Sequence, residues 1–124
     1  MTIIKHMTLL LLILTTPVIA EEFVWGKECD MSQGTMNMCS AKKFKYYDKE
    51  INVVYKKKMA SLSESDRKKL RAEQRIWVKK RDPDCKEQAD YEIGRGSMWP
   101  LEYNMCRVNS TRQRTKEIKK WPLK

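Results

Sequence analysis

The sequence has little of the chemistry that metal sites and acid–base sites usually need. Histidine occurs once, as His6, and the four cysteines are 10, 46 and 21 positions apart, so they form no C-x-x-C pair. Zinc sites and redox-active thiols commonly use that pair. The sequence therefore predicts no metal, no cofactor and no catalytic residue, and it favours a binding protein over an enzyme.

Long apolar segments are also missing. The longest apolar run, from Met7 to Leu14, is too short to cross a bilayer of about 30 Å as a helix. It follows the basic residue Lys5 and precedes Val18-Ile19-Ala20, which ends in a small residue as a signal-peptide cleavage site does. This pattern is typical of a secretory signal peptide. We therefore expect a signal peptide over residues 1–20 and a periplasmic or secreted domain over 21–124 without a transmembrane segment.

Acidic residues are outnumbered by basic ones, 16 against 26, which gives a net charge of +10. Without the signal peptide the chain has 25 basic and 16 acidic residues and a charge of +9. Such a charge attracts an anionic envelope polymer, a membrane surface or an acidic cleft on another protein. Nucleic acid is not expected as a partner of a secreted chain. Charge that serves solubility alone is the alternative.

The cysteines predict disulfides. They are even in number and all lie in the mature part, as Cys29, Cys39, Cys85 and Cys106. A mature chain of 104 residues can bury only a modest core. Small domains in an oxidising compartment commonly add disulfides to such a core, so two are predicted.

Apolar residues recur at helical spacing in two consecutive segments. The first helix is predicted over about 33–60, with Ser32 as its N-cap. The second is predicted over about 64–81, capped by Ser63 and ended before Pro83.

The helical period is lost after the second helix. Residues 86–97 are expected to form a mobile loop, and a third helix is predicted to begin between Met98 and Pro100. The predicted fold is therefore an all-α, three-helix domain held by two disulfides.

The first two helices are joined by few residues, so they should form an antiparallel hairpin. If the turn centres near Leu62, residues whose numbers sum to about 124 face each other. Cys39 then lies opposite Cys85, which favours a disulfide between them and leaves Cys29 to pair with Cys106. Because several helix ends meet in this region, another connectivity stays open.

Polar residues interrupt the inner stripe of both hairpin helices. The same antiparallel pairing of α-helical positions places Asp48 within one turn of Arg81. A carboxylate and a guanidinium can pair there and fix the helix register. Asn52, Gln74 and Arg114 are predicted to join this pair in a structural polar cluster.

One arginine of the predicted loop is flanked by glycines, in Gly94-Arg95-Gly96. The segment lacks the strand, the lysine and the spacing of a phosphate-binding loop. Binding residues often lie on loops, so Arg95 is predicted to enter a partner's cleft. Trp99 follows the loop and, with Trp25 and Trp121, is a candidate for an amphipathic binding surface.

The order of these residues resembles the LprI-type lysozyme-inhibitor domain, from Cys29 to about Ile118. The second helix is similar to that family's pattern "L..aQ..W...RD..C", carried here by Leu70, Gln74, Trp77, Arg81, Asp82 and Cys85, with Ala72 one position before the pattern's alanine. The closing pattern "GS…C….T..R…L" is matched by Gly96, Ser97, Cys106, Thr111, Arg114 and Ile118.

The resemblance implies a small, helical, extracytoplasmic protein that inhibits lysozyme. Host lysozymes are commonly basic, so an inhibitor of charge +9 meets long-range repulsion unless a local contact compensates. A glycosidase cleft holds two carboxylates, and Arg95 is the candidate to meet them.

Overall fold

The computed structural model describes residues 22–123, so the predicted signal peptide lies outside the described residues. A short 3₁₀ helix, Lys27–Asp30, precedes three helices: α1 (Gln33–Ser61), α2 (Glu64–Glu92) and α3 (Trp99–Lys119). The predicted all-α, three-helix fold is confirmed. Over the described range, no helix has both the length and the apolar character needed to span a bilayer.

Side-chain caps begin the first two helices, as predicted. The Ser32 hydroxyl accepts a hydrogen bond from the Thr35 amide at 3.1 Å, and the Thr35 hydroxyl accepts one from the Ser32 amide at 2.9 Å. Ser63 accepts a hydrogen bond from the Asp66 amide at 3.2 Å and starts α2. These contacts satisfy amide groups that have no partner within the helix.

The predicted end of α2 is wrong, because the helix continues through Pro83 to Glu92. Proline removes one helical hydrogen bond and commonly costs about 3 kcal/mol. Pro83 is exposed, and so is Lys79, whose carbonyl loses its partner. Water can therefore serve that carbonyl. Beyond the proline, Cys85 and Ala89 are buried, and this burial holds the last part of α2 in helical form.

α3 lies parallel to α1 and antiparallel to α2. Near the start of both parallel helices, the Asn37 side chain donates to the Ser97 carbonyl at 2.8 Å, and near their ends Lys58 Nζ donates to the Lys119 carbonyl at 3.1 Å. α1 and α2 pack mainly against α3 and make few contacts with each other. Each hairpin helix is therefore packed mainly by α3, which connects the two.

The core is small and partly polar. Leu70, Val108 and Ile118 are fully buried, and Trp121 is nearly so. Trp121, a candidate both for an amphipathic binding surface and for the inner face of the third helix, packs in the core, where its Nε1 donates to Glu73 Oε2 at 2.8 Å. The buried polar residues are Ser40, Asn104, Thr111, Arg114 and Thr115.

The two disulfides are present, but the favoured pairing is wrong. Cys29 bonds Cys39, and Cys85 bonds Cys106. The predicted pairing assumed that α1 and α2 face each other directly along the hairpin, whereas Cys85 faces α3. The 3₁₀ helix packs against the start of α1 and brings the Cα atoms of Cys29 and Cys39 to 5.7 Å. Each bond therefore joins two cysteines that are consecutive in the sequence.

Removing Cys85–Cys106 should destabilise the protein more than removing Cys29–Cys39. The first bond spans 21 positions and the second 10. Loop-closure entropy alone predicts a difference of about 0.7 kcal/mol, within a total cost of about 2–5 kcal/mol for each bond. Urea unfolding of the two double Cys→Ala variants measures this difference. An equal loss from both variants would contradict the entropic argument, and a Cys39–Cys85 peptide in a non-reducing digest would contradict the pairing.

Candidate functional site

Arg81 lies at the centre of a polar cluster between the three helices. Its side chain is 10% exposed, and its Nη1 lies 2.8 Å from Asp48 Oδ1. Its Nε lies 2.9 Å from Oδ1 of the neighbouring Asp82. The predicted contact between Asp48 and Arg81 is therefore present, and it links α1 to α2 where the helices have few other contacts.

The Arg81 guanidinium keeps its charge in this half-buried place. Burial acts to lower the pKa of Arg81, but hydrogen bonds to Asp82 and Asp48, together with their charges, outweigh burial and raise it. A third helix contributes Thr111, whose hydroxyl accepts from Nη1 at 3.4 Å. A permanently charged group cannot serve as a general acid or base at working pH, and the contacts of Arg81 join all three helices.

Arg107 of α3 is a second cation in the same cluster, and it was not predicted from the sequence. Its Nη1 lies 3.6 Å from Asp82 Oδ2, so Asp82 bridges two guanidinium groups. The Phe44 ring lies between them, with its centroid 3.6 Å from Arg107 Cζ and 4.7 Å from Arg81 Cζ. Aromatic faces attract cations, so Phe44 stabilises both charges.

The other predicted polar residues form a separate cluster. Arg114 Nε donates to Gln74 Oε1 at 2.9 Å, and Arg114 Nη1 lies 3.1 Å from Glu117 Oε2. Gln74 and Arg81 are seven residues apart, or about 10 Å along α2, so the predicted single cluster is wrong. Asn52 is exposed and lines a surface groove beside Gln74.

The loop between α2 and α3 is shorter than predicted. Residues 86–92 are helical, and the connection runs from Ile93 to Met98. Gly94 has a φ of 70°, in the left-handed region that glycine adopts without strain. The tip therefore depends on the backbone conformation of Gly94, whereas Gly96 has no positive φ, and the space around both glycines is open.

Arg95 is 62% exposed at the loop tip, but its side chain has two defined contacts. Its Nε lies 3.1 Å from Asp90 Oδ1, and its Cζ lies 4.6 Å from the Trp99 ring centroid. Trp99 Nε1 donates to the same Asp90 oxygen at 2.8 Å. Asp90 therefore holds both predicted binding residues in one arrangement.

Two aromatic rings flanked by two cations follow one another at every fourth residue from the loop into the bundle. Arg95, Trp99, Tyr103 and Arg107 form this series, which we call the cation–aromatic ridge. The Trp99 and Tyr103 rings stack with centroids 4.8 Å apart, and Arg107 Cζ lies 4.4 Å from the Tyr103 centroid. The four-residue spacing is visible in the sequence and is the signal that could have identified Arg107.

A hydrogen-bond network also connects the loop with the central cluster. Asn37 donates to the Ser97 carbonyl, and its own carbonyl accepts from the Ser40 hydroxyl at 2.7 Å. Asn104 donates to Ser40 at 3.1 Å and accepts from Arg107 Nη2 at 3.0 Å. Because Ser40 and Asn104 are buried, the middle of the network is shielded from water. The loop is thus supported on α1 as well as α3.

The end of the bundle that carries this loop, which we call the loop end, also exposes apolar side chains. They belong to the entry segment, the start of α1, the end of α2 and the loop: Met31, Met38, Tyr91, Ile93 and Met98. Exposed apolar residues on a supported framework are typical of protein-binding surfaces.

Charge is divided unequally along the bundle. Arg107 of α3 contacts Phe44 of α1 and Asp82 of α2, so these three residues lie at the same height along the bundle. We divide the bundle into two halves at this height. The half on the loop side, residues 22–45 and 82–107, has 7 basic and 9 acidic residues, a net charge of −2. The other half, residues 46–81 and 108–123, has 17 basic and 6 acidic residues, a net charge of +11. We call these the loop half and the turn half.

Comparison with known proteins identifies the family. The model of the family described as lysozyme inhibitor LprI matches residues 26–118, so the chain belongs to the LprI family. It is also 30% identical over 123 residues to the uncharacterized protein R02472 of Rhizobium meliloti (strain 1021), with 89% of this chain and 88% of that protein covered. A search of the solved structures gave no match.

The contact between Asp48 and Arg81 should appear as a coupling energy. Asp48→Ala leaves the half-buried Arg81 with one carboxylate fewer and should destabilise the fold, whereas Asp48→Ala combined with Arg81→Met should cost less than the sum of the single changes, by about 0.5–3 kcal/mol. Urea unfolding of the four proteins measures this energy. Glu50→Ala is the matched acidic control on α1. Additive losses would show that the contact contributes nothing.

The Asp90 contacts should persist to unusually low pH. Hydrogen bonds from Lys86 and Trp99, with the charge of Arg95, lower the pKa of Asp90. Its stabilising effect is thus complete above the ordinary aspartate pKa of about 3.9 and is lost as the pH falls through the lowered value. The Trp99 indole N–H resonance should titrate with a midpoint below about 3.9, and Asp90→Asn should abolish the transition. A midpoint at or above the ordinary value would contradict this arrangement.

Proposed function

We propose that this protein inhibits lysozyme by binding it with the loop end. The observation that carries the proposal is the division of charge, since the loop half has a net charge of −2 and the turn half +11. A basic lysozyme would be repelled by the protein's average charge but not by the loop half. Membership of the LprI family supports lysozyme as the partner.

Distance and screening keep the two halves electrostatically separate. α1 and α2 have 29 residues each, which corresponds to about 43 Å of helix. The Debye length at physiological ionic strength is about 8 Å. Most of the turn half therefore lies several Debye lengths from a lysozyme at the loop end, and its repulsion is largely screened.

Arg95 is proposed to bind the carboxylates of the lysozyme cleft. Its contact with Asp90 uses Nε, so the two Nη groups can form a paired contact with another carboxylate. Trp99 and Asp90 hold the guanidinium in place before binding, which reduces the entropy lost on association. The exposed apolar residues of the loop end would contact the cleft rim.

The protein is proposed to act by binding, outside the cytoplasm. Its two disulfides indicate an oxidising compartment. The predicted signal peptide supports export to the periplasm or beyond. The central polar clusters fix helix positions and support the loop, so inhibition needs no catalytic group on this chain.

Arg95→Ala should weaken lysozyme inhibition by more than about tenfold, or about 1.4 kcal/mol. The change removes the proposed cleft contact while the exposed loop keeps its support from Asn37. Inhibition constants against a basic and a neutral lysozyme measure the effect. Arg75→Ala, an exposed change on the turn half, is the matched control and should leave inhibition unchanged.

Raising salt should not abolish inhibition, because the buried cleft contact is screened less than surface charges. Equal effects of Arg95→Ala and Arg75→Ala would remove the loop from the proposal. Failure to inhibit any lysozyme at micromolar protein would overturn the proposed function itself.

A further inference from the structure

A surface groove between α1 and α2 lies in the turn half and is not used by the proposed inhibition. It has a volume of about 480 Å³. α1 contributes Asn52 and Tyr55, and α2 contributes Arg71, Gln74, Arg75, Val78 and Lys79. We call this the basic groove. It lies between two helices that pack mainly on α3 and make few contacts with each other.

The charges of the groove are all of one sign. None of its lining residues is acidic. Within residues 22–123, Arg71, Arg75 and Lys79 take part in none of the ion pairs. All three are exposed. Their charges are therefore available to a ligand.

The spacing of the three cations suits an extended ligand. Residues 71, 75 and 79 lie four apart on one ridge of α2, so they extend over about 12 Å with about 6 Å between neighbours. A single small anion can contact one or two of them. A linear chain with repeated anionic groups can contact all three.

The uncharged residues favour oxygen-rich groups. Gln74 Oε1 already accepts from Arg114 Nε at 2.9 Å, so the Gln74 side chain has its amide N–H groups left to donate to a ligand. Tyr55 and Asn52 add a hydroxyl and an amide. Guanidinium forks bind phosphate oxygens in pairs. With one aromatic ring, the groove lacks the series of stacking platforms that single-stranded nucleic acid usually needs.

We infer that the basic groove is a binding site for a linear polymer that carries phosphate groups. The site is separate from the loop end, so the protein can hold such a polymer in the turn half while the loop end binds another protein. This inference does not depend on the proposed inhibition of lysozyme.

The test compares linear polyphosphate with orthophosphate at equal total phosphate, using calorimetric titration of the full mature chain. Polyphosphate should bind, with an affinity that falls as salt rises, and orthophosphate should bind far more weakly. The triple variant Arg71→Gln, Arg75→Gln and Lys79→Gln should lose at least about tenfold in affinity, because three charge-assisted contacts are removed. The positions are exposed, so the helical content and melting temperature should be nearly unchanged.

The matched control is the triple variant Lys57→Gln, Lys116→Gln and Lys120→Gln. These lysines are also exposed in the turn half but do not line the groove, and the net charge falls by the same amount. Affinity should fall less than about threefold. Equal losses from the two triple variants would show binding to diffuse charge and overturn the proposal. So would tighter binding of a single-stranded oligonucleotide with the same number of phosphates, or no binding of polyphosphate at low salt.

Lysozyme inhibition by the groove triple variant separates the two proposals. Unchanged inhibition with lost polyphosphate binding is the expected result. Lost inhibition together with lost polyphosphate binding would show that the groove is part of the lysozyme contact, contrary to the inference.

Discussion

Arg81 is held between three helices by two carboxylates, and the relation of α1 to α2 depends on this contact. The two helices are long, but each packs mainly on α3 rather than on the other. A guanidinium at 10% exposure requires anionic partners, and Asp48 and Asp82 provide them from different helices. The cluster therefore fixes the register of the hairpin where apolar packing is sparse.

The same cluster supports the loop end. Asp82 also binds Arg107, which begins both the cation–aromatic ridge and the hydrogen-bond network that leads to Ser97. The disulfide Cys85–Cys106 joins α2 to α3 at this end. Arg95 is consequently presented by a loop with contacts to all three helices, and a supported loop loses less entropy on binding than a free one.

Division of charge reconciles two properties that conflict when only the net charge is considered. A protein with a basic average is unsuited to a basic partner, yet its loop half is slightly acidic. The open side of the hairpin collects unpaired cations in the turn half. Because these surfaces are separated by several Debye lengths, each can act on its own partner.

The sequence by itself determined the three helices, the caps of the first two and the number of disulfides, because helical periodicity, capping residues and cysteine count are local signals. The contact between Asp48 and Arg81 was also predictable, since a short turn fixes which residues face each other. Only the tertiary structure decided the disulfide pairing and the continuation of α2 through Pro83. Cys85 bonds Cys106 of α3, and Cys85 and Ala89 are buried beyond the proline. The position of a third helix against a hairpin is set by nonlocal packing, and no local pattern encodes it.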